Sequence, residues 1–268
     1  MKFGFLGKVC ATACAVGAMV PAMAADWSIS SIEYRRGNNF NDNGLTGGPK
    51  FSKDLFEYEN ITGSSWGRTY FFITAEKTAQ EDGRSAGIYS EGDLYWSFSK
   101  LTGKKVQFGP IKDVVATIGY NYGAKNSAFR PNAQVLTYGG GLEFDVPKFT
   151  FFNLDVVAYR DTGTYSGFGG GSLCGRPATT YQVTPYWSLP FNVGNLRFVF
   201  DGYMDVIGAH GDCKQQILTE PQLKLDVGNF WGKPDSVYVG FEYQYWKNKF
   251  GSKSNTERVP QLVLHMKL

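Results

Sequence analysis

The chain lacks long hydrophobic runs: after Ala25 no stretch approaches eighteen apolar residues, although 43% of all residues are hydrophobic. A helix needs roughly 20 apolar residues to cross a bilayer, so helical membrane spans are excluded. Histidine is also scarce, with 2 in 268 residues, and neither H-E-x-x-H nor a paired C-x-x-C sequence is present. We therefore predict no metal site and no cofactor.

An excess of charge is missing as well. Of the 27 basic residues, Lys2 and Lys8 lie in an N-terminal segment that continues as a small, apolar run and closes on "AMA". This form predicts a removed signal peptide over 1–24 and a mature domain over 25–268, with a retained anchor or a lipoprotein attached through Cys14 as the alternatives. Removal leaves 27 − 2 = 25 basic against 24 acidic side chains. A nearly neutral chain has no basic stripe for nucleic acid, so we predict no nucleic-acid partner.

What recurs in the chain is a two-residue alternation of apolar and polar side chains. It is clearest in "FFNLDVVAY" at 151–159, "LRFVFDGYMDV" at 196–206, "PQLKLDV" at 221–227 and "SVYVGFEYQYW" at 236–246. The C-terminal "VPQLVLHMKL" follows the same period, with Leu262, Leu264, Met266 and Leu268 on one face. These patterns predict amphipathic strands, the last of which runs to the chain end.

Further strand segments are separated by clusters of Gly, Asn, Asp or Pro, and helical periodicity is absent. We place them near 27–36, 54–61, 67–77, 87–99, 111–122, 134–146 and 178–189. The total is about twelve strands, and the fold class is all-β. Two architectures fit: a soluble sandwich or lipocalin-like barrel with its apolar face inward, or a membrane barrel with its apolar face toward lipid.

Connection lengths favour the membrane barrel. Short turns at 146–149 and 189–195 alternate with long polar loops at 37–53, 161–178 and 247–257. Long outer loops and short periplasmic turns are typical of bacterial outer-membrane barrels. The exception is "LTGKKVQFGP", a long stretch on the periplasmic side.

Closure of the barrel explains the patterned C-terminus. An unpaired strand edge is prohibitive in lipid, so the last strand must pair with the first. We therefore predict a transmembrane antiparallel β-barrel of about twelve strands, in contact with outer-membrane lipid. Tryptophans near strand ends support the same arrangement, since such rings lie at the headgroup level; they are Trp27, Trp66, Trp187, Trp231 and Trp246.

Several segments carry a family resemblance. "KLTGKKVQFGPIKDVVATIGYNYG", "DLFEYENITGSSWGRTYFFITAE", "EPQLKLDVG" and "VGFEYQYWKNKFG" resemble stretches of the nucleoside-specific channel-forming outer-membrane proteins, the Tsx-like and OmpK-like family. The resemblance implies a monomeric twelve-stranded barrel in the bacterial outer membrane with a narrow channel for nucleosides. In the OmpK-like branch it also implies a surface used by phage. The alternative function is a general small-solute porin or a phage or colicin receptor.

A nucleoside channel needs aromatic faces for the base and polar groups for the ribose, each binding weakly. The strand alternation nominates inward-facing residues as substrate-binding candidates: Glu57, Arg68, Tyr70, Glu91, Tyr95, Tyr159, Asp201, Tyr203 and Glu242. For each of them, a structural ion-pair network in the lumen is the competing interpretation.

A catalytic interpretation starts from "GSSWG" at 63–67, which has the G-x-S-x-G form. That motif requires a strand, a sharp turn and then a helix to expose the serine. Because a strand follows here, Ser65 is predicted to be a turn residue. Of the two histidines, His210 is predicted to lie in an outer loop, and His265, on the last strand, is distant from Ser65 in strand order. We predict that the protein is not an enzyme.

Two cysteines, Cys174 and Cys213, lie in the mature chain. The strand count places both in outer loops, where an oxidising environment preserves disulfides. We predict that they form a disulfide restraining the outer mouth, worth on the order of 4 kcal/mol for a loop of about forty residues. Two free thiols are the alternative.

Overall fold

Antiparallel strands dominate the structure. The computed structural model describes residues 25–41, 50–78, 86–126, 130–166, 170–253 and 255–268, and the predicted signal peptide lies outside the described residues. The strands are β1 (Trp27–Phe40), β2 (Phe51–Ser64), β3 (Gly67–Thr78), β4 (Ala86–Ser97), β5 (Ile111–Lys125), β6 (Pro131–Asn132), β7 (Gln134–Phe144), β8 (Phe151–Asp161), β9 (Thr164–Tyr165), β10 (Gly171–Ser172), β11 (Ala178–Val193), β12 (Leu196–Ile207), β13 (Gln216–Thr219), β14 (Gln222–Asp226), β15 (Val237–Lys247) and β16 (Glu257–Lys267).

The long strands close into one antiparallel ring. Each pairs with its neighbour in chain order, and β16 pairs with β1 in a register that sets Lys267 opposite Ser31. The amide of Leu268 donates a hydrogen bond to the carbonyl of Ser30 at 2.9 Å, so the chain end is held in the ring. Within the described residues, none of the long strands is thus left with a free edge, as lipid requires. The prediction of a closed twelve-stranded barrel is confirmed.

The wall is apolar outside and polar inside. Phe241 is 64% exposed whereas the next residue, Glu242, is 2% exposed, and on the neighbouring strand Leu262 is 58% exposed beside Gln261 at 1%. Water-soluble proteins, which bury their apolar side chains in a core, show the reverse pattern. The apolar face therefore meets the hydrocarbon, and the polar side chains fill or line the lumen.

Polar and aromatic side chains mark the outer edge of the lipid-facing band. Tyr34 donates a hydrogen bond to Asp54 at 2.6 Å, and Arg36 forms a 2.7 Å ion pair with the same carboxylate. Long cationic side chains and tyrosines at this height reach toward headgroups. Among the predicted interface tryptophans, Trp187 departs from the expectation, because it lies inside β11 rather than near its end.

The connection between β4 and β5, which is the exception to the expected short periplasmic turns, contains a short helix. Helix α1 (Phe98–Thr102) begins at the cap residue Ser97, whose side chain accepts a hydrogen bond from the amide of Lys100. Asp113 at the start of β5 accepts hydrogen bonds from the Ser97 and Ser99 hydroxyls. The sequence prediction of a strand over 87–99 was therefore too long by the start of this helix. No helix in the described ranges is long and apolar enough to cross a bilayer.

Four local features were not predicted. The position between β12 and β15 in the ring is occupied by two short strands, β13 and β14. The break lies at Glu220 and Pro221, because proline has no backbone N–H to donate to the neighbouring strand. Strands β6, β9 and β10 form a small sheet in the outer loops. Strand β11 continues to Val193, so the turn expected over 189–195 contains only the residues after it. Two 3-10 helices, Gly228–Trp231 and Lys249–Gly251, lie in connections.

Replacing Leu264 with arginine is expected to lower the free energy of unfolding by about 2–4 kcal/mol, because the side chain faces lipid one outward position further from the outer rim than Leu262, the residue paired with Arg36. The matched control is Leu268→Arg at the periplasmic end, where the cost falls to about 0–1 kcal/mol. Equilibrium unfolding by urea in lipid vesicles measures both values. Equal costs at the two positions would contradict the assigned membrane depth.

Candidate functional site

One side of the lumen is organised by Arg35 on β1. Its guanidinium donates hydrogen bonds to Glu242 at 2.8 Å and to Glu57 at 2.5 Å, and lies 3.3 Å from Glu33 and 3.6 Å from Glu220. The Arg35 side chain is 10% exposed. We call these five residues the arginine network. It ties β1 to the strands on both sides and compensates part of a concentrated negative charge.

Aromatic rings line the adjoining part of the wall. The ring centroids of Tyr70 and Phe72 are 5.9 Å apart, and those of Phe72 and Tyr89 are 6.0 Å apart. The Tyr70 hydroxyl donates to Glu59 at 3.1 Å, and the Tyr89 hydroxyl donates to Glu91. We call Tyr70, Phe72 and Tyr89 the aromatic wall. It combines flat apolar faces with carboxylate acceptors at its edges, a combination that can stack a heterocycle and hydrogen bond its donors.

A second arginine crosses the lumen toward its periplasmic end. Arg68 on β3 forms an ion pair with Glu143 on β7 and donates a hydrogen bond to the hydroxyl of Tyr186 on β11 at 2.7 Å. Its guanidinium carbon lies 4.1 Å from the ring centroid of Tyr95. We call Arg68, Glu143 and Tyr186 the arginine bridge. Because it joins strands separated by four others around the ring, it narrows the passage.

The opposite wall of the lumen is formed by β11, β12, β13 and β14. Lys224 forms a 2.9 Å ion pair with Asp201. Asp205 accepts hydrogen bonds from Thr184 at 2.6 Å and from Gln182 at 3.0 Å. This wall therefore presents one carboxylate that is neutralised by a cation and one that is held only by neutral donors.

All nine sequence-predicted candidates face the lumen, at different heights. Glu57 and Glu242 belong to the arginine network, Tyr70 and Glu91 to the region of the aromatic wall, and Arg68 and Tyr95 to the arginine bridge and its surroundings. Asp201 pairs with Lys224, Tyr203 lies near Glu220 and Asp205, and Tyr159 lies beneath the outer mouth with its ring 5.8 Å from that of His210. Their substrate-binding roles stay a prediction.

Sequence reasoning missed the residues that organise these groups. Glu33 and Arg35 have the same alternation as the nominated positions, with Ile32 and Tyr34 facing outward, so the pattern of β1 could have revealed them. Glu143 also alternates with the outward Leu142 and Phe144, but the contacts of Glu143 and Tyr186 with Arg68 cannot be predicted from alternation, because they join strands across the lumen. Conversely Arg197, which has inward parity, is 41% exposed at the periplasmic rim and pairs with Asp235 at 2.8 Å.

The outer mouth is held by a disulfide between Cys174 and Cys213, which have an S–S distance of 2.04 Å. The buried His210 lies beside it, with Nε2 3.1 Å from Asp161 Oδ2 and Nδ1 2.9 Å from the carbonyl of Gly208. The two cysteines and His210 bring metal-ligating atoms within 4.8 Å of one another. Both sulfurs are used in the covalent bond, and each ring nitrogen of His210 faces a hydrogen-bond acceptor, so none of the three side chains offers a free ligand atom.

The outer mouth is expected to be more stable at acidic than at alkaline pH. Burial alone would lower the pKa of His210, but its hydrogen bonds with Asp161 and the Gly208 carbonyl raise that pKa above 6.5. A raised folded-state pKa stabilises the fold fully below about pH 6.5, and the contribution is lost as the pH rises through the folded value. Amide exchange of residues 208–213 at about pH 6 and pH 9, corrected for intrinsic rates, measures this. His210→Gln should abolish the difference, and greater protection at alkaline pH would contradict it.

The G-x-S-x-G sequence is a turn between strands. Ser65 and Trp66 connect β2 to β3, with no helix after the serine. Gly67 is required by close packing, because a Cβ there would lie 1.8 Å from the carbonyl oxygen of Tyr95. His265 is hydrogen bonded to Glu33 at 3.0 Å, on the adjacent strand. These contacts give the motif and the histidine structural roles.

Comparison with known proteins identifies a matching family. The profile of the family described as "Nucleoside-specific channel-forming protein, Tsx" matches residues 29–262. Similar solved structures include a KdgM porin at 9% identity, covering 88% of this chain and 98% of that chain with a TM-score of 0.40. They also include the translocator domain of autotransporter NalP from Neisseria meningitidis, at 8% identity with 97% and 94% covered and a TM-score of 0.46. OccK11 from Pseudomonas aeruginosa is similar at 9% identity, with 90% and 96% covered and a TM-score of 0.38. No curated protein matches the chain.

Proposed function

Because the chain belongs to the nucleoside-specific channel-forming protein family, we propose that it is a channel for passive, substrate-selective uptake of nucleosides. It is a bacterial outer-membrane protein with a porin-like barrel. The observation that supports selectivity most directly is the aromatic wall, in which three rings at 5.9 and 6.0 Å spacings are flanked by Glu59 and Glu91.

The chemistry of the aromatic wall suits a nucleoside in transit. A base can stack on an aromatic face for about 1–3 kcal/mol, while carboxylate oxygens accept hydrogen bonds from ribose hydroxyls and from exocyclic amines. Binding of this strength attracts the solute without trapping it, as a conducting pathway requires. The arginine bridge then limits the size of what passes toward the periplasm.

Block of single-channel current by nucleosides tests the proposal. Adenosine and thymidine should reduce the current through the wild-type channel, whereas a sugar of similar size should not. Phe72→Leu removes the central ring of the aromatic wall and should weaken the block by about 5-fold or more, the equivalent of about 1 kcal/mol of stacking. The matched control is Phe71→Leu, on the lipid side of the same strand.

The general small-solute porin is the alternative outcome of the same measurement. Equal permeation by nucleosides and sugars, in order of size alone and unchanged by Phe72→Leu, would favour it. We also propose that the protein is a monomer, which the closed ring supports because no unpaired edge is left in the described strands. A surface for phage attachment stays a prediction from the family resemblance.

A further inference from the structure

Four carboxylates from three strands lie together in the lumen above the arginine bridge. Glu91 and Asp93 come from β4, Asp155 from β8 and Asp205 from β12, and Asp93 lies within electrostatic range of both Asp155 and Asp205. We call these four residues the acidic zone. Arg68, the cation that acts on Asp93, is already engaged with Glu143 and Tyr186.

One of these carboxylates, Asp155, has a buried oxygen without a protein donor in the described part of the chain. Asp155 is 7% exposed; its Oδ2 accepts a 2.8 Å hydrogen bond from Tyr95, but its buried Oδ1 accepts none. The hydroxyl of Thr117 nearby on β5, in a residue 5% exposed, is also without a partner. A buried carboxylate oxygen that lacks a donor is costly, and a bound cation would remove that cost.

The wall between Asp93 and Asp155 is shaped to leave room for them. Inward positions there are occupied by glycine: a Cβ at Gly119 would lie 1.9 Å from Asp93 Oδ1, and a Cβ at Gly141 would lie 2.1 Å from Asp155 Oδ1. Gly119 is paired with Asp93, and Gly141 with Asp155. The carboxylates of Asp93 and Asp155 therefore lie against glycines of the wall. The acidic zone offers only oxygen atoms as ligands, which suits hard cations and ammonium groups.

We propose that the acidic zone binds cations within the lumen, so that the open pore conducts cations and protonated amines in preference to anions. A ring of carboxylates around a low-dielectric passage attracts cations and raises a barrier to anions. This inference rests on the proposed channel activity but is independent of nucleoside selectivity. It also predicts that neutral solutes pass more readily than their phosphorylated, anionic forms.

The zero-current potential across a planar bilayer tests the inference with potassium chloride as the probe. Under a tenfold gradient of potassium chloride, the wild-type channel should give a zero-current potential with the sign expected for potassium selectivity. The permeability to potassium should exceed the permeability to chloride several-fold. Asp93→Asn should lower the ratio, and it removes no hydrogen bond that the structure shows, so folding should be preserved. Asp93→Glu should retain the ratio. Asp54→Asn, which changes a carboxylate on the lipid-facing side, is the control and should have no effect.

Spermidine supplies a second readout. As a trivalent cation it should block the current in a voltage-dependent manner, and Asp93→Asn combined with Asp155→Asn should weaken that block several-fold. Chloride preference, or a potassium preference that both variants leave unchanged, would overturn the inference while leaving nucleoside block intact. Absence of any conductance would instead overturn the channel proposal, and this inference with it.

Discussion

Replacing Arg68 with alanine is expected to raise the single-channel conductance several-fold. The guanidinium reaches from β3 to Glu143 on β7 and to Tyr186 on β11, so its removal clears the part of the lumen that it crosses. Conductance of a narrow pore depends steeply on its tightest section. Planar-bilayer recordings in the same salt measure the change.

Arg68→Lys is the informative control. Lysine keeps the charge, but it lacks the planar fork with which arginine contacts Glu143, Tyr186 and the Tyr95 ring together. An intermediate conductance is therefore expected. If Arg68→Ala conducts as the wild type does, the arginine bridge is not the narrowest part of the pathway.

Replacing Arg35 with methionine is expected to lower the free energy of unfolding by about 3–5 kcal/mol, because it leaves buried carboxylates without their cation. Glu242 and Glu33 are almost fully buried in the arginine network, and Glu57 and Glu220 are nearly so. Urea unfolding in lipid vesicles measures the loss. If Arg35→Met does not fold into vesicles under conditions in which the control variant does, that outcome also supports the prediction.

Arg36→Met is the matched control at the next residue. The Arg36 side chain is 50% exposed on the outer face and has Asp54 as its ion-pair partner, so its loss should destabilise the fold far less than the loss of Arg35. Similar small costs for the two variants would contradict the view that the arginine network holds the lumen together.

The alternation of side chains predicted the fold because a barrel wall has only two faces. Once the last strand is required to pair with the first, the side that carries Leu262 and Leu264 must face lipid and the side that carries Gln261 must face the lumen. This rule also placed all nine candidates inside. It gave the strands but not their ends, as the extension of β11 to Val193 shows, because a strand end depends on local turn geometry rather than on alternation.

What the sequence did not predict depends on contacts between distant strands. Alternation tells which way Arg68 points but not that it meets Tyr186, since that contact depends on the height of each strand in the ring and on the barrel diameter. Helix α1 was missed because a helix of 5 residues is too short to show a helical period in the sequence. The break at Pro221 was readable in principle, because proline rarely occupies the middle of a paired strand.

The central claim, that the apolar face of each strand meets lipid while the polar face surrounds water, is tested most directly on β12. Spin labels attached at cysteines introduced singly at Phe198, Val199, Phe200 and Asp201 report collision with oxygen, which concentrates in lipid, or with a water-soluble nickel complex. We predict that labels at Phe198 and Phe200 are accessible to oxygen and that those at Val199 and Asp201 are accessible to nickel. The opposite phase, or equal nickel accessibility at all four positions, would contradict the account.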